Sequence, residues 1–429
     1  MADQEYDVIV IGAGACGLIA ALEMSLTGKK VAVLEAKDRI GGRIHTIYDQ
    51  QFDQPVELGA EFIHGELKET LLISKKAGIA QHKVGGEIWQ NEDGKLEEQD
   101  DFIEDYNDLN KKFKELNQDI SVKEFLENYL QGDQYEELRF TLKNYIEGYY
   151  SAETSKASTF ALRDELNNST NKQFRLEGGY LKIAEYLFRK CKETNVYFAL
   201  NEPVVSLEYN KERVIITTKK SNYTSRKALV TISIGVLQSG SIQFLPGIPE
   251  KIKAANLLGF GPVVKTIFQF KKAFWKNKEQ TQGKDLKKLG FMFARTIIPT
   301  WWTQYPQNSC MITGWSGGPH ADDIHNLSSE EIKEKGLQSL SEIFSISIDE
   351  LKLNLKAWHV CNWKDDPYTI GGYSYDVVDG SKYREIVRRP IDNTIYFSGE
   401  GLYEGIEIGT VEAALSTGKE VAIQIVASF

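Results

Sequence analysis

One ammonium stands in an otherwise apolar run, Val263-Val264-Lys265-Thr266-Ile267-Phe268-Gln269-Phe270. Its β-branched and aromatic residues favour a strand, which sets Val263, Lys265, Ile267 and Gln269 on one face. A buried, unpaired charge is costly, so such a lysine lies at a sheet edge, is paired, or does chemistry. A second set of chemically capable residues lies near the start. Gly12, Gly14 and Gly17 form G-x-G-x-x-G after the apolar run Asp7–Ile11, and Glu35 follows Gly14 by 21 residues. Glycines there permit a tight turn, close approach of backbone to a pyrophosphate, and packing of helix on strand. The helix N-terminus offers free N–H groups and positive dipole to phosphates. An acid at the Glu35 position accepts from a ribose diol and disfavours a 2′-phosphate. The pattern calls for a bound dinucleotide, and by itself leaves NAD and FAD both open.

The elements that must position these residues follow from the pattern around them. Leu18, Ala21, Leu22 and Leu26 recur at helical spacing, and Lys30–Leu34 reads as a second buried strand ending at Glu35. A charged, helix-rich stretch is predicted from about Gly94 to Asn168, then a turn and amphipathic helix in FRLEGGYLKIAEYLFRK. Strand-like segments follow in VYFALNEPVVSLEYN, RVIITTKK and KALVTISIGVL, and a charged helix over Ser328–Phe344. The closing segment NTIYFSGEGLYEGIEIGTVEAALSTGKEVAIQIVASF reads as strand, Gly-rich turn and helix. This interleaving predicts an α/β chain, with a nucleotide domain of separated segments and a second domain inserted between them.

Composition narrows the chemistry. The net charge of −10 argues against a nucleic-acid surface. It is concentrated between Asn91 and Glu137, where 16 Asp/Glu face 5 Lys. Most of these are read as a solvated helical face, and together they make a field that concentrates cations. Cys16, Cys191, Cys310 and Cys361 are scattered, as are the six histidines, so no metal site is expected. MADQEYDVIV lacks a basic leader region and no apolar run is of membrane-spanning length, which sets the cytoplasm as the expected compartment.

Gly41, Gly42 and Arg43 follow the ribose acid in EAKDRIGGRIHT, and here the chain begins to resemble the flavin-dependent amine oxidases. ELGAEFIHG (Glu57–Gly65), LVTISIGVLQSGSIQFLPGIPE (Leu229–Glu250), GPVVKTIFQF, WKDDPYTIGGYSY (Trp363–Tyr375) and YFSGEGLYEGIEIGTVEAALSTG extend the resemblance over the whole chain. Ser233 and Ile234 depart from the family's Pro-Leu. Within a family that includes monoamine oxidases and lysine-specific histone demethylases, the chain is most similar to polyamine oxidases.

The resemblance implies a Rossmann-like FAD-binding domain of residues 1–80, 171–259 and 385–429. A substrate domain of mixed sheet and helices would take 81–170 and 260–384. It implies cofactor contacts from Gly12, Gly14, Ala15, Gly17, Glu35, Ala36, Gly42, Arg43, Gly59, Ala60, Glu61, Val204, Trp363, Gly399, Glu400, Thr410 and Val411, with Arg43 on the pyrophosphate. Lys265 would face the flavin and hydrogen-bond a water near N5. Tyr373 would form one wall of an aromatic cage, with Thr410 where the opposite wall stands. His64 falls where animal-type polyamine oxidases carry a substrate-proximal histidine, the alternative being a structural histidine. Gly372 occupies the position where monoamine oxidases attach flavin to cysteine, so FAD is expected to be non-covalent. Trp301 and Trp302 are set aside as core or interface, and Tyr368 as structural. The implied reaction moves hydride from an amine α-carbon to flavin N5, giving an imine, then an aldehyde plus amine or ammonia, with oxygen reduced to hydrogen peroxide. Expected partners are a small cationic amine and oxygen, with neither nucleic acid nor membrane. A monoamine oxidase and a catalytically silent flavin-binding regulatory protein remain the alternatives.

Overall fold

The computed structural model describes residues 5–92, 94–100, 106–168 and 172–429. Asp93, Asp101, Glu104 and Asp105 of the acidic stretch lie outside the described residues, as does the start of the first ten.

Apolar runs buried on both faces build the first sheet. Tyr197–Ala199, Val31–Leu34, Glu5–Ile11 and Asn222–Val230 lie side by side in parallel, and Ile395–Phe397 joins the far end of Asn222–Val230. Continuous Val/Ile/Leu runs suit a parallel sheet covered on both sides. Val214–Thr218 and Val204–Tyr209 continue it antiparallel, with Gln243–Leu245 at the margin of this eight-stranded sheet. One face is covered by helices Ala15–Leu26, Leu181–Glu193 and Val411–Ala427, which share a core with Leu18, Ile19, Leu187, Leu415 and Ile425. The first and last of these helices cross closely. A Cβ at Gly418 would stand 2.6 Å from the Cys16 carbonyl oxygen.

The second sheet has seven strands, in the order Leu355–Asn362, Val263–Phe270, Met311–Gly317, Thr300–Thr303, Leu289–Ala294, Glu87–Glu92 and Lys95–Gln99. It is mixed, because Glu87–Glu92 runs parallel to Leu289–Ala294 while the other ladders are antiparallel. The Lys265 strand is paired on both sides and all eight of its residues are buried, so the edge-strand reading falls. Val264, Phe268 and Phe270 point into a core with Leu337, Leu340 and Phe344 of the Ser329–Phe344 helix.

Two predicted elements differ. Lys95–Gln99 is the second strand of a hairpin rather than the start of a helical region. Ile234–Ser239 is a short helix capped by the Ser233 hydroxyl, not a continuation of the preceding strand. In both cases a local cap or turn overrides a run of favourable propensities. Among the described residues, the charged stretch continues with helices, one of them Val122–Tyr129 with a Ser121/Glu124 capping box.

Candidate active site

The nucleotide end is built by backbone. Gly12 has a positive φ of 110°, and a Cβ on Gly17 would lie 2.0 Å from the Gly12 carbonyl oxygen, so the loop closes only with glycine at both positions. Gly14 caps the Ala15–Leu26 helix with no side chain, and a Cβ there would meet nothing within 4 Å. Open space therefore lies before uncapped helical N–H groups. Glu35 is fixed behind the loop: its carboxylate accepts from Ala13 N at 2.7 Å and Lys37 N at 2.9 Å. Burial raises its carboxyl above the ordinary value, opposed by those two N–H groups. Ala36 follows directly, and Glu202 N, two residues before Val204, donates to the Glu35 carbonyl.

The next segment lies on the first. Gly41 N donates to Ala13 O at 2.8 Å, and Gly42 sits against Gly14. Arg43 Nη1 donates to Glu400 Oε1 at 2.5 Å and to Gly372 O at 3.0 Å. Ala60 N donates to Arg43 O, a Cβ on Gly59 would stand 1.8 Å from that same oxygen, and Trp363 Nε1 donates to Leu58 O. Gly399 O accepts from the Thr417 hydroxyl, and Thr410 caps the helix that begins at Val411. Of the expected cofactor residues, Gly12, Gly14, Gly17 and Gly42 gather at the N-terminus of the Ala15–Leu26 helix, whose free N–H groups suit a phosphate of FAD, and Arg43 joins Gly59, Ala60 and Glu400. One of them differs in role. The Glu61 carboxylate is fully engaged by protein donors, so any cofactor contact there falls to its backbone.

Lys265 is paired. Its Nζ donates to Glu57 O (2.7 Å), Gly59 O (3.2 Å) and Glu61 Oε2 (2.9 Å), which occupies all three of its donors. Glu61 Oε1 accepts from Arg175 Nε (3.0 Å), Trp302 Nε1 (3.0 Å) and Gln304 Nε2 (3.4 Å). Burial alone would raise the Glu61 carboxyl, but Lys265 and Arg175 hold it down at about 2. Glu57 shows the opposite balance: desolvation pushes it up to about 7 despite bonds from Tyr180 N and Thr46 Oγ1.

Around the ammonium, aromatic rings close a circuit. Lys265 Nζ lies 5.4 Å from the Trp302 ring, Trp302 packs on Trp315 at 5.9 Å, and Trp315 stacks on Tyr373 at 6.1 Å. The Tyr373 hydroxyl donates to Tyr149 O. Tyr149 meets His64 edge-on at 5.5 Å, and Phe62 joins His64 (6.0 Å) to Trp302 (5.5 Å). Gly409, next to Thr410, lies 3.3 Å by its built Cβ from the Tyr373 ring. Burial lowers His64 to about 4, which keeps it neutral near pH 7. Burial also raises the Tyr149 and Tyr373 phenols, with Glu165 adding to both shifts.

Phe62, Tyr149, Arg175, Trp302 and Trp315 were absent from the expected set. The signal for Trp302 was strand alternation: in Thr300–Thr303, Trp301 faces the core beside Phe268 while Trp302 turns to Glu61. Tyr149 ends a π-helical turn over Tyr145–Tyr149 that no simple period announces. Among the described residues, no cluster of His, Cys, Asp and Glu could hold a metal.

The model of the family described as flavin containing amine oxidoreductase matches residues 15–91 and 81–426. The chain belongs to that family. It is 28% identical to polyamine oxidase 2 of Arabidopsis thaliana, over 97% of this chain and 87% of that protein. It is equally 28% identical to lysine-specific histone demethylase 2 of Homo sapiens, over 98% of this chain, but spans only 53% of that relative. Two solved structures share the fold over 99% of both chains: putrescine oxidase bound to putrescine (TM-score 0.78, 19% identity) and cyclohexylamine oxidase from Brevibacterium oxydans IH-35A (TM-score 0.79, 18% identity). The chain is thus a flavin-dependent amine oxidoreductase with FAD as its cofactor, as its sequence resemblance implied. No helix among the described residues is long and apolar enough to cross a membrane.

Proposed function

We propose that this amine oxidoreductase oxidises polyamines, with oxygen as acceptor and hydrogen peroxide as product, in the cytoplasm. The observation that carries the reading is the aromatic circuit, which joins Lys265, Tyr373 and His64 from distant segments around one chamber. When bound, FAD supplies the oxidation by accepting hydride from the amine α-carbon. The chain's own residues bind, orient and keep water out. Tyr373 and Trp315 present apolar faces that favour an uncharged nitrogen, the form whose lone pair assists hydride loss. His64, neutral, adds no competing charge. Lys265 holds a fixed positive charge against the Glu57–Glu61 segment. Thr410 leaves the wall opposite Tyr373 free of a second aromatic ring, which suits a slender chain. Gly372 offers no side chain for a covalent link, consistent with non-covalent FAD. We assign the eight-stranded sheet to an FAD-binding unit of residues 1–80, 171–259 and 385–429, and the seven-stranded sheet to a substrate unit of 81–170 and 260–384.

Polyamine preference is supported by the named relatives and by Glu165. This carboxylate accepts from the hydroxyls of Tyr150 and Tyr145 (3.4 Å for the latter), and Tyr145 stacks on Tyr149 at 5.0 Å. Burial pushes Glu165 up to about 8, so a cation arriving beside it drives out its proton and gains a counter-charge. The test is peroxide release in air with spermidine, putrescine and benzylamine, together with product analysis. Higher kcat/KM for the two polyamines supports the reading; benzylamine as the best substrate would replace it with monoamine oxidation.

A further inference from the structure

We propose that Glu61 is a positioning residue for Lys265. Anchored by Arg175 and Trp302, it fixes both the direction and the charge of that ammonium beside the flavin. This rests on the placement of Lys265 next to the cofactor stated above.

The two carboxylate oxygens divide the work. Oε1 takes Arg175, Trp302 and Gln304, while Oε2 is left to Lys265 alone. The anchor is itself clamped: Arg175 Nη2 donates to Thr303 O at 3.1 Å, and its guanidinium lies 4.7 Å from the Phe62 ring. Lys265, Glu61 and Arg175 are 1%, 6% and 9% exposed, so water screens little of this. Glu61 and Arg175 already balance in charge, and Glu61 also accepts from Trp302 and Gln304. Adding Lys265 leaves two buried cations sharing one carboxylate, an arrangement that stability alone does not favour. The other titratable groups facing the ammonium are Glu57, which titrates near neutrality, and Cys361 across the strand ladder, whose thiol is pushed up to about 11 by burial. The cluster therefore carries excess positive charge, aimed by Oε2 at the Glu57–Gly59 carbonyls. A fixed cation favours the electron-rich reduced cofactor over the oxidised one.

The test is the flavin midpoint potential of the FAD-loaded protein as a function of pH, by dye equilibration. Glu61→Gln removes the one carboxylate that the buried ammonium bonds, so its proton is lost more readily than in the wild type. The expected result is a break in the pH dependence that the wild-type profile lacks. Beyond that break, relative affinity for the reduced cofactor falls about tenfold, near 30 mV for a two-electron couple. The break should vanish in the double variant Glu61→Gln/Lys265→Met. Persistence of the break without Lys265, or a wild-type profile in Glu61→Gln, overturns the proposal. A shift in Lys265→Met with none in Glu61→Gln removes the role of Glu61 alone, and no shift in Lys265→Met removes the placement beneath it. Glu61→Asp gives an independent reading should the amide variant not fold. It keeps the charge but shortens the reach, so the profile stays that of the wild type while kcat falls about tenfold. Full turnover in that variant contradicts positioning.

Discussion

The glycine-rich segments proposed to hold FAD, the groove, and the ring cluster proposed to hold the amine, the chamber, meet at the Glu57–Glu61 segment but are made of different material. The first is backbone: glycines at 12, 14, 17 and 59, the uncapped N-terminus of the Ala15–Leu26 helix, and carbonyls holding Arg43 and Lys265. The second is side chain: rings from five separated segments, beside the buried charges of Lys265, Glu61 and Arg175. At Gly17 and Gly59 the neighbour is a backbone oxygen that cannot rotate away, so added volume is not tolerated. Side-chain sites tolerate substitution structurally and lose function by degrees.

That contrast is sharpest at Gly59. Gly59→Val places its first carbon inside the van der Waals radius of the Arg43 oxygen, and the expected outcome is loss of all retained FAD, read by absorbance after gel filtration. A yellow, monodisperse variant would break the comparison. In the chamber, Lys265→Met is expected to keep FAD yet slow turnover about a hundredfold, measured by peroxide release. A wild-type rate there would strip the lysine of its role. Glu165→Gln should raise KM for spermidine about tenfold with kcat little changed, as expected for lost binding of a remote cation. An unchanged KM would place the distal charge elsewhere.

The smallest effect concerns His64. Its ring titrates near 4 in the folded chain and near ~6.5 when unfolded, so the unfolded state holds more protons between those values. Stability therefore falls as pH drops from about 6.5 through 4 and levels off below. His64→Asn should flatten this slope by on the order of 1 kcal/mol, since the ring is only partly enclosed. Identical acid limbs in melting curves of the two proteins would deny the half-buried, neutral histidine.

The groove was legible because its code is local. Gly12-x-Gly14-x-x-Gly17, the flanking apolar runs and Glu35 each act through their own backbone within one strand–helix–strand unit. The Lys265 strand was legible to its end residues, but its rank in the sheet was not, since the partners Met311–Gly317 and Leu355–Asn362 are distant in the chain. The chamber was half legible. Tyr373 and His64 came from motifs, whereas Trp315 and Tyr149 gain meaning only from contacts across the fold. Arg175 sits in a strand between Phe174 and Leu176, and nothing local distinguishes it from a surface arginine. Glu61 was grouped with the cofactor because of its neighbours; its carboxylate instead answers two cations from other segments.

The central claim is that a polyamine held in the chamber gives its hydride directly to FAD. Anaerobic mixing of the yellow holoprotein with spermidine tests this without regard to the electron acceptor. The account predicts rapid bleaching of the flavin by spermidine and little by benzylamine; a flavin that stays yellow with every amine tried would contradict it.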